Sequence, residues 1–146
     1  MCIRDRDNCY STVTVVTTAV WSEPGELELN VDDAHPATNF SGDTVDYSDE
    51  RKAQFRKVTV PKQTLDQIVA DANFGQPDLV SITTNWAEEE ILAGMAGLLE
   101  NGVRYVCLAI GKDGEEYGEL MASLGYEVLG YDDRGVTYER IPQPAS

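Results

Sequence analysis

Apolar and polar positions follow two different spacings along the chain. Residues 12–20, TVTVVTTAV, form an almost uncharged β-branched run that reads as a buried strand. Ser22-Glu23-Pro24-Gly25 marks a turn, and Glu26-Leu27-Glu28-Leu29-Asn30-Val31 then alternates polar and apolar. Together these stretches predict a hairpin. From 32 to 55 the chain is polar and irregular and carries Asp32, Asp33, Asp43, Asp46, Asp49 and Glu50. A loop of that length in a compact domain is usually functional or mobile. Lys57-Val58-Thr59-Val60 resumes as a short strand, which Pro61 is expected to end.

Helical spacing takes over from Thr64. Thr64 and Gln67 form a capping box, followed by the stripe Leu65, Ile68, Val69 and Ala72. Asn85 and Glu88 form a second, box-like pair, and Ile91, Leu92, Met95, Leu98 and Leu99 supply one continuous stripe stopped by Asn101-Gly102. Glu88, Glu89 and Glu90 fall in the first turn, where the helix dipole favours negative charge. Asp113 and Glu116 open a third predicted helix, with the stripe Tyr117, Leu120, Met121 and Leu124, ended by Gly125.

Between the helices lie two short apolar runs, DLVSITT at 78–84 and VRYVCLAI at 103–110. Near-continuous apolarity is expected of parallel strands covered on both faces. Residues 126–129 and 136–140 flank Tyr131-Asp132-Asp133-Arg134-Gly135 and predict a closing antiparallel hairpin. The expected fold is α/β: a three-layer αβα, Rossmann-like sheet, mostly parallel, with a C-terminal antiparallel hairpin and its first strands missing. No glycine-rich loop follows a first strand, and no acid ends a second one.

Composition narrows the chemistry. The chain has 146 residues and a formal net charge of −15. That length suits one domain. The acidic excess repels phosphate backbones and argues against nucleic acid. No apolar stretch is long enough to cross a bilayer, and residues 1–8 lack the apolar run of a signal peptide. His35 is the only histidine, so a histidine-centred triad is nearly excluded. Cys2, Cys9 and Cys107 are too far apart for a disulfide framework or a paired-cysteine zinc site, and a reducing cytoplasm is expected. Asp32, Asp33 and His35 are metal-ligand types, but no further ligands converge by spacing, so no metal is expected. Ile110-Gly111-Lys112-Asp113-Gly114 reads as a plain strand-to-helix turn rather than a phosphate cradle.

Met1-Cys2-Ile3-Arg4-Asp5-Arg6 resembles the translation of a transposon sequencing adapter. Residues 1–6 are therefore expected to be an artefact, 7–146 a partial domain, and the natural protein to continue upstream.

Four stretches then carry a resemblance. TVTVVTTAVWSEPGELELNV, VTVPKQTLDQIV, PDLVSITTNWAEEEILAGMAGLL and GYEVLGYDDRGVTYER resemble, in order over residues 8–141, the FkbM-type methyltransferases. The third is similar to that family's most diagnostic motif, roughly D-L-lysine-I-D-V-E-G-A-E. The resemblance implies S-adenosylmethionine as donor and O-methylation of a sugar or other small metabolite. It places Thr18, Ala19 and Val20 on the adenine side of the cofactor cleft, and Thr83, Asn85 and Trp86 at its floor. It also makes His35, Thr38, Asn39 and Glu88 acceptor-side candidates.

The chain departs from the motif at telling positions. Ser81 stands where the family has lysine, Thr83 where it has aspartate, Asn85 where it has glutamate and Trp86 where it has glycine, while Glu88 is kept. Two acids have become neutral hydrogen-bonding residues, so no catalytic residue is assigned. The alternative is a non-catalytic, Rossmann-like binding or scaffold domain derived from a methyltransferase. Structural roles compete at each position: Asn85 as helix N-cap, Trp86 as packing aromatic, Glu88 as capping partner and Cys107 as core. Without a donor-cradling loop, neither tight cofactor binding nor activity is expected of this chain by itself.

Overall fold

The computed structural model describes residues 13–35, 39–41, 48–84, 86–109 and 117–142. The expectations at 1–6, Thr38, Asn85, the 110–114 turn and the helix opening at Asp113 and Glu116 lie outside these residues.

The strands are β1 (Ala19–Val20), β2 (Gly25–Val31), β3 (Phe40–Ser41), β4 (Arg56–Gln63), β5 (Leu79–Ile82), β6 (Tyr105–Leu108), β7 (Tyr126–Asp132) and β8 (Gly135–Arg140). The helices are α1 (Asp49–Lys52), α2 (Leu65–Ala72), α3 (Glu88–Ala93), α4 (Ala96–Asn101) and α5 (Gly118–Ser123). They build two four-stranded sheets, ordered β1-β4-β2-β3 and β5-β6-β8-β7.

This overturns the expected three-layer, mostly parallel Rossmann-like sheet. The fold is mixed α/β with two separate mixed sheets. Among the described residues only β1–β4 and β5–β6 pair in parallel, and the other pairings are antiparallel. The expected hairpin between residues 12–20 and 26–31 does not form either. β4 lies between β1 and β2, and pairs with β2 from Gly25↔Lys62 to Val31↔Arg56. The register sets Leu27 opposite Val60 and Leu29 opposite Val58, so apolar side chains meet across the strands on one face. Pro61 does not end β4. Its neighbour β1 pairs only from Lys62 onward, so a residue without an N–H breaks no bond of that ladder.

The second sheet explains the misreading of the apolar runs. Ile82, Val106, Leu108, Val136 and Tyr138 point to one face and pack with Ile91, Leu92, Met95, Leu98, Leu99 and Met121 of the helical segments. On the other face Leu79 is 54 % exposed, Ser81 is exposed, and Tyr105 and Cys107 are half-buried. Among the described residues the sheet is thus covered on one side. The run VRYVCLAI is apolar on both faces without being buried on both. Cys107 is a free thiol with Sγ 3.5 Å from Thr137 Oγ1, rather than a core residue.

Local signals are mostly visible in the helices. Thr64 Oγ1 accepts the Gln67 amide at 3.1 Å, but the Gln67 side chain turns to Asp71 instead of completing the box. The single helix expected from Glu88 to Asn101 is two, α3 and α4, divided at Gly94-Met95. Asp66 causes the division. Its amide donates to the Gly94 carbonyl, and its carboxylate accepts the Gly97 and Leu98 amides at 2.8 and 2.9 Å, starting a new helix there. Gly102 ends α4 in the left-handed region at φ 100°, and the Arg140 guanidinium caps it by donating to the Leu99 and Glu100 carbonyls. Among the described residues no helix is long and apolar enough to cross a membrane.

Within the polar 32–55 stretch the described residues include β3 and α1. Phe40 and Ser41 of β3 are buried, and Phe40 meets Phe55 edge to face at 5.1 Å between ring centres. Ser48 caps α1 through its hydroxyl.

Candidate functional site

β5 ends at Ile82, and the chain passes through Thr83, Thr84 and Trp86 into α3. Ligands in open α/β sheets bind beyond the carboxyl ends of parallel strands, and β5 and β6 are such a pair. Thr83 is exposed there. Trp86 is 63 % exposed and has φ 62°, a left-handed backbone that a bulky residue rarely adopts. Its indole is therefore not a packing aromatic.

Glu88 lies in the first turn of α3 and is 4 % exposed. Thr84 donates its hydroxyl to Glu88 Oε1 at 2.9 Å. This bond ties the end of β5 to the helix start, and the N-cap position itself is Ala87. The segment after β1 reaches the same helix. Ser22 donates its hydroxyl to Glu90 Oε2, and the Trp21 carbonyl abuts Gly94 so closely that a β-carbon there has no room. α3 thus gathers the segments that follow both β1 and β5. Thr84 and Ser22 were not singled out from sequence; Thr84 lies four residues before Glu88, the spacing at which side chains meet on a helix.

The β1 candidates serve the first sheet. Thr18 donates its hydroxyl to the Pro61 carbonyl at 2.9 Å. Ala19 and Val20 pair with Lys62 and Gln63, and Val20 also packs against the core of the second sheet.

The acceptor-side candidates His35 and Asn39 meet at a residue of the acidic loop, Asp32. The Asp32 amide donates to Asn39 Oδ1 at 2.9 Å. Asp32 Oδ1 accepts the Ala34 and His35 amides, a turn typical of Asp. Oδ2 takes the Arg51 guanidinium at 2.6 Å and lies 3.3 Å from His35 Nδ1. Burial works to raise the Asp32 pKa, but the Arg51 hydrogen bond, the two amides and the Arg51 charge outweigh it and hold the carboxyl below its ordinary value. Each carboxylate oxygen is taken up by donors, which suits a structural clasp. Among the described residues no three His, Cys, Asp or Glu are grouped to hold a metal ion.

A shallow depression of about 370 Å³ opens on the uncovered face of the second sheet, lined by Ser81, Cys107, Thr137, Tyr131, Asp132 and Arg134 among others. It holds none of the sequence-derived candidates. Asp132 accepts the Arg134 amide and guanidinium, which keep its carboxyl below the ordinary range.

Comparison of the chain with protein families, with curated proteins and with solved structures finds no match in any of the three.

Proposed function

We propose that the chain is an S-adenosylmethionine-dependent methyltransferase of the FkbM type, acting on a hydroxyl of a small metabolite in the cytoplasm. The ordered resemblance over 8–141 supports this reading. The observation that carries it is Trp86: an indole 63 % exposed on left-handed backbone, just beyond a parallel strand. Such strained positions cluster at ligand sites.

The candidate residues fit the donor in part. Trp86 offers an aromatic face to an adenine, and the exposed Thr83 a hydroxyl to its polar edge. The Thr18 hydroxyl is already engaged with Pro61. When bound, S-adenosylmethionine supplies an electrophilic methyl group. Holding an acceptor oxygen in line with it accounts for much of the rate of such transfers. Glu88 with Thr84 fixes the direction in which α3 leaves β5, and so positions Trp86.

A specific observation favours a second reading, ligand binding without transfer. Glu88, the acid kept from the motif, is buried on Thr84, and Thr83 and Asn85 carry no charge. No free carboxylate is therefore assigned as base.

Indole fluorescence during titration with S-adenosylhomocysteine tests binding, and transfer of labelled methyl to a metabolite extract tests chemistry. The methyltransferase reading expects a weak but saturable change that is lost in Trp86→Leu and kept in Trp21→Phe, together with labelled product from the protein extended upstream. A saturable change without product supports the binding reading, and absence of both overturns both.

A further inference from the structure

We propose that Ser22 is a positioning residue for the site at Trp86, acting through Glu90 on the turn that carries the indole. Toward the ligand, this rests on the reading of Trp86 as the adenosyl platform. Toward the fold, it rests on how α3 is held. α3 is six residues long, and its N-cap, Ala87, makes no side-chain bond. A helix so short has little stability of its own. The left-handed backbone of Trp86 costs free energy and lasts only where its surroundings over-determine it. One restraint is local. Thr84 donates its hydroxyl to Glu88 Oε1 at 2.9 Å and so closes a loop with Trp86 at its middle.

The other restraints come from the segment after β1. Ser22 Oγ donates to Glu90 Oε2, 68 positions further along the chain. The Trp21 carbonyl lies where a β-carbon of Gly94 would be. Glu90 and Gly94 are four residues apart, one turn, so two consecutive residues grip one side of α3 at two heights. The grip is itself anchored, because the Trp21 amide donates to the Gln63 carbonyl of β4 at 2.9 Å. Ile91 and Leu92 bind α3 to the core, but apolar contact has no direction and leaves the helix able to roll about its axis. The bond from Ser22 to a carboxylate is directional and of the stronger kind. It fixes the roll of α3, and with it the direction in which the 84–88 turn presents the indole.

Fluorescence anisotropy decay of Trp86, with and without S-adenosylhomocysteine, tests the role. The chain has two tryptophans, so Trp21→Phe, which keeps the carbonyl at 21, leaves Trp86 as the reporter. In that background Ser22→Ala and Glu90→Ala are each expected to shift amplitude from whole-molecule tumbling to fast local motion. Each is also expected to weaken S-adenosylhomocysteine binding about three- to tenfold, the loss of one hydrogen bond. The double variant loses no more than either single one, as two ends of one bond should. Ser22→Thr keeps a hydroxyl and retains both readouts. Ser48→Ala, which removes the cap of α1, controls for general destabilisation and is expected to move neither. Anisotropy unchanged in Ser22→Ala and Glu90→Ala, binding indifferent to both, or an equal change in Ser48→Ala overturns the proposal. Changed anisotropy in a chain that shows no saturable binding keeps the positioning role and overturns the adenosyl reading instead.

Discussion

Asp66 and Gly97 are joined by a 2.8 Å hydrogen bond from the Gly97 amide to the Asp66 carboxylate. One acid, placed by the capped start of α2, supplies the cap that α4 lacks in its own sequence, since Met95 at its N-cap makes no side-chain bond. Asp66→Ala leaves the Gly97 and Leu98 amides without that acceptor. A loss of about 1–2 kcal/mol is expected in urea unfolding. Asp66→Asn keeps one acceptor oxygen and loses less.

Gly94 is set by space rather than by backbone angle, because its φ of −76° suits any residue. A methyl group at Gly94 runs into the Trp21 carbonyl, which is backbone and cannot swing aside. Gly94→Ala is expected to cost about 1–3 kcal/mol or more by thermal unfolding. Gly118→Ala is the contrast. No described residue lies near its added methyl, and it sits at the start of α5. A change between none and a gain of about 1 kcal/mol is expected.

Asp32 predicts an acid limb in stability. Its carboxyl sits lower in the folded chain than in the unfolded one. Its contribution is therefore complete above the unfolded value of about 3.9, and is lost as pH falls below that through the folded value. Asp32→Asn is expected to flatten the fall in unfolding free energy below about pH 4, and to lower stability at neutral pH by releasing Arg51. An equally steep acid limb in the variant assigns the effect to other carboxylates.

Trp86 predicts a conflict between stability and binding. A glycine adopts φ 62° without strain, and the exposed indole loses little packing on removal. Trp86→Gly is expected to unfold at the same or a slightly higher temperature, with a gain of up to about 1 kcal/mol. It should lose whatever adenosyl binding the natural chain shows. A marked loss of stability instead makes the indole a structural element.

What was legible in the sequence was local. Thr64 with Leu65, Ile68 and Val69 marks α2, because a cap and a stripe are decided within a few residues. Tyr126 to Arg140 marks the closing hairpin for the same reason. Partner choice was not legible. Nothing in the alternation of 26–31 says that it pairs with 56–63 rather than with 12–20, since both are β-branched runs of suitable length. The step from short apolar runs to a three-layer parallel sheet failed at Ser81 and Cys107, where one face of the strand stays open. At the candidate site, the acid at 88 was visible but its partner Thr84 was not. The exposure of Trp86 depends on a backbone turn that residue type does not announce. Asp32 looked like one more acid in a polar loop, and only the approach of Arg51 distinguishes it.

The order β5-β6-β8-β7 also bears on how the chain matures during synthesis. β8 leaves the ribosome after β5, β6 and β7, yet it lies between β6 and β7. β7 has no place in the sheet until β8 arrives, and the guanidinium that caps α4 belongs to Arg140, the final residue of β8. At about 5–20 residues per second, the helices and β6 wait several seconds with Val106 and Leu108 unsealed. A nascent chain halted before residue 135 thus has only β5 and β6 paired in its second sheet, over an open core, the form of this protein that chaperones would be expected to hold.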